Sequence, residues 1–278
     1  MPLLRLLLLF LATACLFPGH ALGATATASA AAPLAIGETW TIDSAVLGER
    51  RRINVYRAPG APAGAPLPVM YMPDGGMAED FLHVAGLLQV GAGNGSLRPF
   101  LLVGIENTER RRDLTGPTDV AKDRTIAPRV GGAQAFRDFL RKELMPEVAR
   151  RYRVTAERAI VGESLAGLFV VETFVLEPDL FDKYVAIDPS LWWNGGRLAA
   201  ELGKRARLAA TGEKALHVAI SADGQAFVDR AALAAGVATM PGVRFSFDSW
   251  PEESHATVYH AAALKAFRSL LAPATPAP

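Results

Sequence analysis

Six consecutive residues, Gly162-Glu163-Ser164-Leu165-Ala166-Gly167, constrain this chain more than any other stretch. A strand-like run, Arg158 to Val161, leads into them, and a helix-like run, Leu168 to Phe174, leads out. A serine with a small residue two positions to either side, set between a strand and a helix, is the pattern of a nucleophile elbow. The bend is so tight that side chains two before and two after the serine crowd their neighbours. Only very small residues fit there, hence Gly162 and Ala166. The turn lifts the Ser164 hydroxyl clear of the sheet, where a base and a substrate carbonyl can both reach it.

The rest of the sequence supplies the sheet that such a turn needs. Apolar runs at Leu67 to Met72, Phe100 to Ile105, Ile160, Tyr184 to Ile187 and Leu216 to Ser221 predict strands, and Val243 to Trp250 is the last strand. Arg52 to Ala58 alternates polar and apolar, as a half-exposed edge strand does. Helical spacing recurs at Glu79 to Gln89, Ala133 to Arg150, Gln225 to Ala235 and Ala256 to Leu271. A polar segment, Glu106 to Gly131, has no clear period and is long for a plain connection. Strands separated by helices predict an α/β fold with a mostly parallel central sheet covered by helices on both faces. In such a sheet the chemistry gathers at the carboxyl ends of the strands.

Composition narrows the function classes. Of 278 residues 50% are hydrophobic, which suits one large core. The formal net charge is +1, so no basic field exists to hold a nucleic acid. Residues 1–23 read as an export signal. Arg5 precedes an apolar run from Leu6 to Leu16, Pro18-Gly19 breaks it, and Ala21-Leu22-Gly23 supplies small residues for cleavage. The run is short for a membrane span, so no stable span is expected after cleavage. An uncleaved anchor and lipid attachment at Cys15 are the alternatives. Periplasmic or secreted location follows as an expectation. Cys15 is the sole cysteine, so a cleaved chain has no disulfide and no thiolate metal site. Residues 24–34 form a flexible lead-in, 35–271 a single domain and 272–278 a loose, proline-rich tail. No metal and no cofactor are expected, because no His/Asp/Glu cluster has ligand spacing. Oligomeric state is not legible.

A serine hydroxyl needs a base. His83 lies inside an amphipathic helix, His217 sits mid-strand and His260 is a turn into the final helix. His255 follows the last strand at the mouth of a loop, so it is the expected base. A carboxylate then fixes the imidazole tautomer, and in chain order it lies between serine and histidine. Asp223, after the strand ending at Ser221, is the first choice, although Asp223-Gly224 is also a turn dipeptide. Asp188, at the end of the preceding strand, is the second. A pair without a carboxylate, or one helped by Glu252 or Glu253, stays open. The oxyanion donors are expected at the Leu165 amide and in the loop around Gly75.

Several segments match one family in order. These are Tyr71-Met72-Pro73-Asp74-Gly75, Val103 to Asn107, Arg112-Asp113-Leu114-Thr115, the elbow with Gly167-Leu168-Phe169, Asp188 to Trp193, and Glu253-Ser254-His255. The chain resembles the putative-esterase group of α/β-hydrolases that includes the Fes/IroE-type siderophore esterases. The resemblance covers roughly residues 35 to 271 and implies an α/β-hydrolase fold and serine hydrolase activity, with Ser164 and His255 carried over directly. Departures are Ala166 for the usual elbow glycine, Gly116 where proline is frequent, and Asp188 where serine is frequent. The leading expectation is an exported serine esterase acting on a small-molecule ester, a siderophore among the options. Trp192, Trp193 and Arg112 are expected to contact the substrate, although Arg110-Arg111-Arg112 also reads as a solvated charge run. An acyltransferase with the same site, or a binding protein on the same fold, is the alternative.

Overall fold

The computed structural model describes residues 28–200, 212–238 and 240–273. The expected export signal, Cys15, the start of the lead-in and the end of the tail lie outside the described residues. Residues 28–35 carry no regular secondary structure. All the described strands and helices lie in the contact unit that begins at Ile36.

Eight strands make one sheet in the order β1-β2-β4-β3-β5-β6-β7-β8. They are β1 (Glu38–Ser44), β2 (Glu49–Arg57), β3 (Leu67–Pro73), β4 (Leu101–Ile105), β5 (Val154–Glu163), β6 (Lys183–Ile187), β7 (Lys214–Ser221) and β8 (Val243–Trp250). The β1–β2 and β2–β4 pairs are antiparallel, and every later pair is parallel. This is the mostly parallel α/β arrangement expected of the sequence. The strands β3, β4 and β7 are buried along their whole length, because helices cover both faces.

Alternation along each strand divides the core in two. Leu67, Val69 and Tyr71 of β3, with Val103 of β4, join Phe136, Phe139, Phe169 and Phe174 on one face. Met70, Met72 and Leu102 point the other way, onto Phe81, Val84, Leu88 and Phe267. Helices Ala133–Phe139, Leu165–Leu176 and Arg230–Ala238 therefore cover one face, and Phe81–Gly93 and Val258–Leu270 the other.

Two elements differ from expectation. β2 is not the edge. The edge strand on that side of the sheet is β1, which sequence alternation did not expose because only Trp40 and Ile42 pack partly on the core. Arg52 to Ala58 looks half-polar partly because Asn54 is buried, its Nδ2 donating to the Gly75 carbonyl at 2.8 Å, and just ahead of it Arg51 is fully enclosed and bonded to Asp113 at 2.6 Å. The helix expected from Ala133 to Arg150 contains a wide π turn at Leu140–Leu144, directly before Met145–Arg151. Pro146 explains it, since its ring nitrogen cannot donate to the turn below.

Candidate active site

The elbow closes as its residue sizes require. Ser164 takes φ 61° and ψ −120°, a conformation rare outside glycine. A Cβ on Gly162 would lie 2.6 Å from the carbonyl carbon of Ala166, so glycine is obligatory there. Gly167 is a third small position: a Cβ on it would lie 2.9 Å from the Ile187 carbonyl oxygen of the neighbouring strand. The Ser164 N–H donates to that same Ile187 carbonyl at 3.0 Å, and its own carbonyl accepts from the Ser190 N–H at 3.0 Å. Backbone bonds to the β6 segment thus hold the hydroxyl-bearing residue from both sides.

Four strand ends converge on this point. Ser164 follows β5, Asp188 follows β6, Asp223 follows β7, and His255 comes after β8. The Nε2 of His255 lies 3.1 Å from Ser164 Oγ. Its Nδ1 lies 2.6 Å from Asp188 Oδ2. A carboxylate on Nδ1 fixes the proton there and leaves Nε2 as the acceptor facing the serine hydroxyl.

The expectation that Asp223 orients the imidazole is therefore corrected. Asp188 occupies Nδ1, and the Asp223 Oδ2 accepts the backbone N–H of His255 at 2.8 Å instead. Asp223 fixes the loop that carries the histidine, helped by the Ala222 N–H, which donates to the Glu253 carbonyl at 2.9 Å. With Nδ1 taken, no place on the ring remains for Glu252 or Glu253. Asp188 is itself held by the Ser221 N–H at 2.9 Å and the Ser221 hydroxyl at 2.6 Å. Its φ of 41° is the strained value that turns the side chain back under the imidazole.

The electrostatics follow this geometry. Burial pushes the Asp188 carboxyl up, but the bonds from His255 and Ser221 outweigh it and hold the group below its usual range. The bond to Asp188 raises His255 above an ordinary histidine. Glu163, between Gly162 and Ser164, is pushed by burial up to about 7. It places Oε1 3.5 Å from the His255 Nε2.

The oxyanion loop is also corrected. The Gly75 N–H is spent on the Ile105 carbonyl at 3.0 Å, and its carbonyl accepts from Asn54 Nδ2 at 2.8 Å. A Cβ on Gly75 would lie 2.3 Å from the Gly104 Cα, so this glycine serves close packing of β3 on β4. The neighbouring Gly76 N–H donates to Glu79 Oε2 at 2.6 Å. The Leu165 N–H opens helix Leu165–Leu176, where no carbonyl one turn back claims it.

Of the expected substrate contacts, Trp192 alone lines the cavity at Ser164. That cavity holds about 220 Å³, and Asp188, Ser190, Gly224 and His255 also border it. Trp192 is 37% exposed. Trp193 is buried, and its Nε1 donates to the Gly116 carbonyl at 2.9 Å, a packing role. Arg112 pairs with Glu49 at 2.7 Å and Asp113 at 2.6 Å, inside the network around Arg51, so its charge is already matched. Arg110 forms a two-point pair with Asp74, at 2.7 and 2.8 Å. Of this arginine run only Arg111 is an exposed cation. His217 bonds Ser246 inside the sheet, and His83 stacks near Tyr259 and His260. Among the described residues no group of three His, Cys, Asp or Glu side chains could hold a metal.

A family model described as "Putative esterase" matches residues 44–238. The chain belongs to this esterase family. The match takes in Ser164 and Asp188 but ends before His255, which the fold brings to them. The ferri-bacillibactin esterase BesA of Bacillus subtilis is 34% identical over 167 residues, 52% of this chain and 56% of that protein. The siderophore triacetylfusarinine C esterase of Aspergillus fumigatus is 34% identical over 140 residues, 46% of each chain. The chain spans about half the length of these curated relatives. Among solved structures, an IroE-like serine hydrolase from Shewanella oneidensis superposes with a TM-score of 0.75 at 28% identity, over 84% of this chain and 80% of that one. Family and fold are thus those of the α/β-hydrolase esterases.

Proposed function

We propose that this protein is a serine carboxylic-ester hydrolase working through an acyl-enzyme on Ser164. The observation that carries the reading is the hydrogen-bonded row from Asp188 Oδ2 through both His255 nitrogens to Ser164 Oγ, at 2.6 and 3.1 Å. His255 takes the hydroxyl proton as Ser164 Oγ bonds to the ester carbonyl carbon, and the carbonyl electron pair moves to its oxygen. The imidazolium then gives that proton to the departing alkoxide as the C–O bond breaks. Water repeats the sequence on the acyl-enzyme and releases the acid. Asp188 keeps Nδ1 protonated throughout. The Leu165 N–H stabilises the oxyanion.

Siderophore-type esters are the proposed substrate class, since the curated relatives are named as esterases of such molecules. Export to the periplasm or outside the cell is proposed on the signal-like residues 1–23. Among the described residues no helix is long and apolar enough to cross a membrane.

A fluorophosphonate probe followed by peptide mass analysis tests the chemistry. Labelling at Ser164, absent from Ser164→Ala and weak in His255→Ala, is the expected result. Equal labelling of the Ser164→Ala variant would refute it. An ester panel with ferric siderophores tests the substrate class, and added acceptor alcohols separate hydrolysis from acyl transfer.

A further inference from the structure

The Nε2 of His255 faces two oxygens. Ser164 Oγ lies at 3.1 Å and Glu163 Oε1 at 3.5 Å. Glu163 ends β5, opposite Ile187, with a side chain only 16% exposed. Its ionisable surroundings come from every element packed on it. They are Asp80 ahead of helix Phe81–Gly93, Arg110, Asp188 after β6, Tyr259 of the last helix, and His255 itself. Arg110 is committed to Asp74 by two bonds, so the imidazole is the cation closest matched to this carboxylate.

We infer that Glu163 is a positioning residue acting through His255: its carboxylate shares the Nε2 proton with the reacting oxygen and holds the imidazolium while the tetrahedral intermediate exists. This rests on the Ser164–His255 chemistry above. The proton that Nε2 takes from Ser164 passes on to the leaving oxygen, so the ionised Glu163 neither gains nor loses one. While ionised it contributes a negative charge on the side of the ring opposite Asp188. Two groups this close titrate as a pair, and the apparent midpoints belong to both. While Glu163 is ionised it favours the charged imidazole, and replacing it by a neutral amide removes that preference.

The test is an NMR titration of the histidine rings in the intact protein, with the His255 signal identified by its absence in His255→Gln. In the native protein its titration is broad, spread over two coupled steps. In Glu163→Gln it becomes a single step with its midpoint lower by about one pH unit. Glu163→Asp, which draws the carboxylate back by a methylene, falls between the two and serves as the second variant if Glu163→Gln does not fold. The acid limb of kcat/KM moves by the same amount as the ring midpoint. A His255 midpoint that stays within about 0.2 units of native in both variants would overturn the inference. The ring titration needs no turnover, so a protein that Ser164 probes fail to label would sink the proposed hydrolysis and still leave this measurement decisive.

Discussion

Exchanging the two aspartates for asparagine separates their roles. In Asp188→Asn, one side-chain position must still accept the Ser221 N–H that now reaches Oδ1 at 2.9 Å. The amide oxygen takes that place, which leaves the NH₂ where Oδ2 was, 2.6 Å from the His255 Nδ1. A donor there makes Nδ1 the acceptor and moves the ring proton to Nε2. The nitrogen facing Ser164 then cannot take its proton. The expected loss in kcat is about 10³–10⁴-fold, or roughly 4–5.5 kcal/mol in the barrier. In Asp223→Asn, the amide oxygen accepts the His255 backbone N–H as well as Oδ2 did, so the loss stays below about tenfold. The assay is kcat and kcat/KM on the best ester of the panel, with thermal melts showing that both variants fold. An Asp223→Asn variant slower than Asp188→Asn would refute the assignment of the carboxylates.

Gly224→Ala places a Cβ 2.1 Å from Asp188 Oδ1, so the carboxylate must leave its seat. We expect kcat/KM to fall about a hundredfold while the protein still melts cooperatively; an unchanged rate would show that Asp188 tolerates displacement. Gly162→Ala drives a methyl group into Ala166, and denaturant titration is expected to show a loss of about 2 kcal/mol or more. Glu157, paired with Arg98 and Lys183, is held down at about 2 against an ordinary 4.5. Its folded value lies below its unfolded one, so its stabilisation is complete above about pH 4.5 and vanishes as the pH falls toward 2. Glu157→Gln is expected to cost about 1–2 kcal/mol at pH 7 after screening and almost nothing near pH 2, measured by denaturant titration at both.

Strand and helix content was largely legible because the parallel strands are enclosed on both faces and read as unbroken apolar runs. β3, β4, β6 and β7 announced themselves this way, whereas β5 did so only over its buried second half, since its first residues are more polar and more exposed. The antiparallel edge did not. β1 has a solvated face, and β2 carries Arg51 at a fully buried position, which reads as a surface residue until Asp113 and Glu49 are known to enclose it. Long-range ion pairing of this kind has no local signature. The arginine run from Arg110 to Arg112 misled for the same reason: Asp74, Glu49 and Asp113, distant in sequence or hidden in a turn, had already claimed Arg110 and Arg112.

The site divides along the same line. Ser164 was legible because its bend imposes residue sizes on its immediate neighbours. His255 was legible by elimination, since no other histidine follows a strand end on the expected side. The carboxylate was not, because Asp188 and Asp223 both follow parallel strands, and both fall between serine and histidine. What separates them is strand order: β6 lies beside β5, whereas β7 is one strand further out. The strand next to the nucleophile can place a carboxylate beneath the imidazole, provided the backbone turns back sharply, and the φ of 41° at Asp188 supplies that turn. The outer strand reaches the loop that bears the histidine, and there Asp223 meets backbone rather than ring. Gly224 completes the division of labour. Any side chain at that position would occupy the space the Asp188 carboxylate fills, so the turn after β7 is small in order to leave room for an acid from β6. The Asp-Gly dipeptide that reads as turn chemistry is thus also part of the site, one residue anchoring the base loop and the other making space for the acid.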